Sequence, residues 1–230
     1  MQLFVLISYL IVVVALGFSG KKSPKRRDTT HYLLAGRKLS LPGFVVTLVS
    51  TWYGGIIGIG ENTYLYGFQT WTIFGLPYYI FAIIFAFFVA GKINNLSTIS
   101  LPDQFYQHYG KVPGVIGAIY ILILSSPAPY LLSVGILVNH ITGLNYEISL
   151  ILITLISVSY IWNGGLKAVI RTDIFQFILM FLGFALLLFF SAHFSDFSLE
   201  IFKKIPSNHF HPTGGASGQY IAAWFFIALW

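Results

Sequence analysis

Residues 50–61 read STWYGGIIGIGE, four glycines in twelve residues closing on Glu61, inside an apolar stretch that otherwise reads as one long span. Each glycine costs roughly 1 kcal/mol in a helix interior relative to alanine. Backbone that leaves the helical pattern at membrane depth survives only where protein or a water-filled cavity covers it. Carbonyl oxygens freed there suit a hard cation. A second reading is a packing face, because small residues let neighbouring helices approach closely. The twelve residues by themselves leave both readings standing.

The surrounding composition sets the class. The 230 residues are 57% hydrophobic and 9% charged, against roughly 25% charged residues in a soluble domain. The expected fold is therefore all-α, a polytopic transmembrane helical protein in contact with membrane lipid. The chain has no cysteine, which excludes a disulfide framework, a zinc ribbon and a thiol nucleophile. The net charge of +6 does not call for nucleic acid, because the basic residues cluster in loops between spans, where topology accounts for them.

Working outward, seven apolar stretches lie near 3–19, 42–68, 70–91, 112–139, 147–163, 173–192 and 218–230. They approach the roughly 20 residues a bilayer requires. KKSPKRR at 21–27 follows the first stretch instead of preceding it, so that stretch reads as a retained anchor with its N-terminus outside, not a cleaved signal. Of the 13 Lys and Arg residues, only Lys203 and Lys204 then fall in outer loops, as the positive-inside rule expects. The span from Pro42 to Phe68 would be about 40 Å long as straight helix, whereas the hydrocarbon core is about 30 Å thick. Tilt can absorb the excess, and so can unwinding at Gly54, Gly55 and Gly58. Pro127 and Pro129 in SSPAPYLL, 125–132, predict a bend in the fourth span. The last stretch stops at Trp230 after roughly 20 Å of helix, which reads as a truncated sequence.

Two segments resemble the sodium:solute symporter family. HYLLAGRKLSLPGFVVTLVSTW, 31–52, is similar to the family's entry to its first core helix, approximately Y-F-L-A-G-R-x-L-P. YIWNGGLKAVIRTDIFQF, 160–177, is similar to Y-x-x-x-G-G-L-x-A-V-x-x-T-D-x-x-Q, a short cytoplasmic turn leading into the next helix. Gly91 and Lys92 match a G-K pair that commonly closes the helix between them. The resemblance implies an inverted-repeat transporter in which two five-helix repeats surround central ion and solute sites. On that scheme residues 1–41 are a peripheral helix and a basic cytoplasmic loop, 42–192 the first repeat, and 193–230 an outer loop and the start of a truncated second repeat.

The same resemblance implies a sodium ion as coupling ion, a small-molecule solute, no organic cofactor and no catalytic residues. It puts the backbone carbonyls of Ser50 and Tyr53 on the sodium, as an incomplete site, with Thr51 assisting and Asp173 assisting or lying on the inward route. Trp52, Gly54, Gly55, Ile57, Gly58 and Glu61 fall to the solute cavity. Some members carry an acidic or amide side chain where this chain has Trp52. Sugar-transporting members place polar side chains where this chain has Ile57, Ile80 and Ile83, and burying sugar hydroxyls against isoleucine is costly.

Several residues also have plainer readings. Glu61 can cap or hydrate the outer half of its span with Asn62 and Thr63. Asp173 can complement a helix dipole. Gly164 and Gly165 suit a tight turn, and His209 and His211 lack the further ligands a metal needs. No phosphate loop or dinucleotide fingerprint is present. The expectation is the N-terminal part of a sodium-coupled symporter in the plasma (inner) membrane, importing a small organic solute by alternating access. A symporter-like sensor module and an inactive half-transporter or interaction fragment are the alternatives.

Overall fold

The computed structural model describes residues 1–19, 32–52, 56–96, 98–196 and 198–228. Its helices in chain order are α1 (Gln2–Phe18), α2 (Leu41–Trp52), α3 (Ile56–Tyr66), α4 (Gln69–Phe74), α5 (Leu76–Phe88), α6 (Ala90–Asn94), α7 (Leu101–Tyr109), α8 (Lys111–Leu124), α9 (Ala128–Thr142), α10 (Tyr146–Gly164), α11 (Leu166–Phe194) and α12 (Gly218–Ile227). Short 3₁₀ turns occupy Ala35–Arg37, Leu199–Lys204 and Ser207–Phe210. The fold is all-α among the described residues.

Three stretches are long and apolar enough to cross a membrane: Gln69–Phe88, Lys111–Thr142 and Leu166–Phe194. Four shorter apolar helices, Gln2–Phe18, Leu41–Thr51, Tyr146–Trp162 and Gly218–Ile227, fall on the four other predicted spans. Large apolar side chains on the long stretches are exposed, with Phe87 at 81% and Leu188 at 74%. Apolar surface of that extent requires hydrocarbon or further protein to cover it.

Local chemistry sets the helix ends. The 112–139 stretch is interrupted as its prolines predict: α8 stops at Leu124 and α9 starts after Pro127, since proline offers no N–H to the ladder. Gly143 closes α9 in the left-handed region at φ 72°. Asn145 then caps α10 by accepting from the Glu147 N–H at 2.8 Å, which satisfies one of the orphan donors of the first turn. Gly165 ends α10 at φ 56°, ψ −151°, a region almost restricted to glycine. Of the predicted glycine pair, only Gly165 has positive φ; Gly164 remains helical.

The chain divides into two compact units. The first comprises Met1–Gly54 and Leu101–Leu188, the second Gly55–Ser100 and Phe189–Trp230. In the first, α7 folds back onto α8 at Gly110, φ 89°. A Cβ on Gly114 would stand 2.8 Å from Tyr106 Cβ, so the glycine is what lets the two helices touch. Residues 101–109, LPDQFYQHY, lie between the apolar stretches at 70–91 and 112–139 and nonetheless form a helix.

In the second unit, α12 lies against the α4–α5 segment through Phe74–Trp224 and Phe81–Phe225 ring pairs, with centroids 4.7 and 5.3 Å apart. The loop between α11 and α12 is latched to the start of α4. Phe68 N–H donates to the His209 carbonyl at 2.7 Å, and Gly67, at φ 63°, leaves room for the His209 backbone.

Candidate functional site: a polar cluster at the start of α11

The turn at Gly165 delivers Leu166 into α11, whose first two turns bury one face, with Ala168 at 0%, Thr172 at 2% and Asp173 at 7% exposure, and leave Lys167 exposed. The turn is held from outside. Tyr32 donates its hydroxyl to the Ile161 carbonyl at 3.1 Å, and a Cβ on Gly165 would meet the Tyr32 carbonyl at 2.5 Å. The two motif segments of the sequence are thus one packed contact.

Around Asp173, three helices reach α11. From α2, Ser50 Oγ donates to the Asp173 carbonyl at 3.2 Å, and the Thr47 side chain lies beside the Asp173 carboxyl. From α10, the Tyr160 side chain lies beside that of Thr172. From α1, Tyr9 accepts from Gln176 Nε2 at 2.7 Å. Yet Asp173 Oδ2 and Thr47 Oγ1 are both buried without a hydrogen-bond partner. Asp173 makes no ion pair among the described residues.

An uncompensated buried carboxylate is costly, and pairing with a cation or protonation relieves it. With Thr47 and Ser50 beside it, the cluster offers carboxylate and hydroxyl oxygens, the donor set a hard cation prefers. No group of three or more His, Asp or Glu side chains is gathered for a transition metal among the described residues.

The sequence-predicted residues fare differently. Ser50 and Asp173 are brought together. Thr51 is exposed and donates its hydroxyl to the Thr47 carbonyl at 2.9 Å. Tyr53, Gly54 and Gly55 lie outside the described residues, as do the side chains of Trp52 and Ile57. Gly58 is on α3, where nothing stands within 4 Å of the Cβ it lacks. Glu61 is exposed on the same helix. Thr47, Tyr160, Tyr9 and Gln176 were not singled out. Thr47 precedes Ser50 by three positions and so shares its helix face, a spacing that was available to find it; nothing in the sequence pointed to Tyr9.

A polytopic helical chain that buries a carboxylate among hydroxyls belongs with membrane proteins that handle ions or solutes. The chain belongs to the sodium:solute symporter family, whose model matches residues 32–207. The family is one of transporters, not enzymes.

Among similar proteins, a putative sodium-dependent multivitamin transporter of Drosophila melanogaster is 27% identical over 182 residues, covering 75% of this chain and 29% of its own. The high affinity choline transporter 1 of Homo sapiens is 27% identical over 192 residues, covering 78% and 32%. The sodium/proline symporter of Staphylococcus aureus (strain JH9) is 28% identical over 197 residues, covering 78% and 37%. The chain spans about a third of the length of these relatives. No solved structure matches.

Proposed function

We propose that this chain supplies the N-terminal part of a sodium-coupled symporter that imports a small organic solute by alternating access. The observation that carries the reading is Asp173: a carboxyl oxygen buried without a partner, in the family segment 160–177, beside the hydroxyl-bearing end of the helix that leads into STWYGGIIGIGE. Sodium would meet the carbonyls of Ser50 and Tyr53, and Asp173, with Thr47 and Ser50, would serve it on the inward route. The family match over 32–207 supports the coupling.

The resemblance to the family assigns Trp52, Gly54, Gly55, Ile57, Gly58 and Glu61 to the solute cavity. At Gly58 and Gly60 the packing alternative finds no neighbour among the described residues. The isoleucines at 57, 80 and 83 disfavour a sugar, and the relatives reported above are named for multivitamins, choline and proline. The distribution of Lys and Arg supports an N-terminus outside the plasma (inner) membrane.

The test is uptake into proteoliposomes by the full-length protein, over vitamins, choline, proline and monocarboxylates, with and without a sodium gradient. Sodium stimulates uptake of at least one of these, and Asp173→Asn raises the sodium concentration for half-maximal rate by about tenfold, the worth of one charged contact. Binding of a solute with no response to sodium removes the proposal.

A further inference from the structure

The polar cluster includes a helix that lies outside both repeats in the family scheme. Helix α1 packs on the 160–177 segment at two heights. Near its end, Gly17 is buried against Tyr160, where a Cβ would approach the Tyr160 ring carbon to 2.6 Å. One helical stretch earlier, the Tyr9 ring stacks on Phe175 at 6.3 Å and its hydroxyl takes the Gln176 amide N–H at 2.7 Å. The rest of the Tyr9 ring faces an apolar groove of about 520 Å³ lined by residues such as Leu10, Val134 and Ile153. Apart from Met1, Gln2 and Tyr9 itself, that groove is lined by aliphatic side chains.

Gln176 follows Asp173 by three positions, so the two side chains are neighbours on one face of α11. A glutamine amide and a buried carboxylate at that spacing are natural partners. Even so, Asp173 Oδ2 has no hydrogen bond, and the Gln176 donor is turned to α1 instead.

We infer that Tyr9 is a positioning residue for the Asp173 site: by holding the Gln176 amide, it keeps the carboxylate uncapped and available to a cation. Without the Tyr9 hydroxyl, the Gln176 N–H loses its acceptor in an apolar setting. An unsatisfied buried donor is expensive, so it turns to Asp173 and competes with sodium for the same oxygen. The inference rests on the reading of Asp173 as a sodium contact.

The experiment is equilibrium binding of radiolabelled sodium to the full-length protein in detergent, comparing wild type, Tyr9→Phe, Gln176→Leu, the double variant and Asp173→Asn, each checked for monodispersity. Tyr9→Phe weakens sodium binding by about tenfold, the strength of a charge-assisted hydrogen bond. Gln176→Leu alone stays near wild type, and adding it to Tyr9→Phe restores binding, because the competing donor is gone. A purely structural strut predicts the opposite, with the double variant at least as weak as Tyr9→Phe. That result, or unchanged binding in Tyr9→Phe, overturns the inference. If Asp173→Asn itself binds sodium as wild type does, the Asp173 reading fails first, a distinct outcome.

Discussion

At the scale of single residues, backbone conformation and buried polar atoms separate structural positions from functional ones. Gly165 is structural. Its φ and ψ of 56° and −151° lie where side chains are excluded, and the Tyr32 backbone fills the space a Cβ would need. Gly165→Ala is therefore expected to destabilise the protein by roughly 1–3 kcal/mol, read as a lower midpoint in a detergent thermal melt. The midpoint staying at the wild-type value would mean the turn adopts another geometry. Asp173 is the contrasting case, since its buried Oδ2 has no partner and gains nothing for stability by remaining charged. Its neighbours Thr47 and Gln176 share helix faces with residues already legible in the sequence. Which of them touch Asp173 is settled only by the packing of α2 and α1 on α11.

Elements were more legible than their contacts. Proline and glycine mark where α8, α9 and α10 stop, because a missing N–H or a positive φ is a property of the residue itself. Helix α7 was not legible as a helix, because its polar composition matches a loop and its partner is supplied by glycines beyond a turn. The latch between the α11–α12 loop and α4 is also a contact between distant residues, built on Gly67 and His209. A Cβ on Gly67 would stand 2.5 Å from His209 Cβ, closer than side chains pack, and Gly67 has φ 63°. Gly67→Ala should therefore break the latch and destabilise the protein by roughly 1–3 kcal/mol, read as a lower midpoint in a detergent thermal melt. Gly60→Ala, with nothing within 4 Å of the added Cβ, should not lower it. Equal midpoints for the two variants would place the loop elsewhere.

For the whole molecule, composition and charge distribution carry most of the weight. Large apolar side chains on the outside of nearly every long helix require hydrocarbon or further protein around them. The proposed orientation follows from where Lys and Arg lie. An epitope at the N-terminus should be stained on intact cells, and one inserted between Lys22 and Lys25 only after permeabilisation; the reverse pattern would invert the topology. The chain divides between Gly54 and Gly55, within the glycine-rich stretch that the sequence singles out. Each unit has its own internal contacts: helices on α10 and α11 in one, α12 on α4 and α5 in the other.

The sequence by itself determined the membrane class, the positions of the seven apolar stretches, the proline interruption and the family. These are properties of composition, spacing and local backbone chemistry. Tertiary structure decided that the segments at 31–52 and 160–177 are in contact. It also decided that Thr47 and Ser50 flank Asp173, and that Tyr9 takes the amide of Gln176. Those facts depend on which helix faces meet across more than a hundred residues of chain, and no local pattern encodes a meeting of that kind.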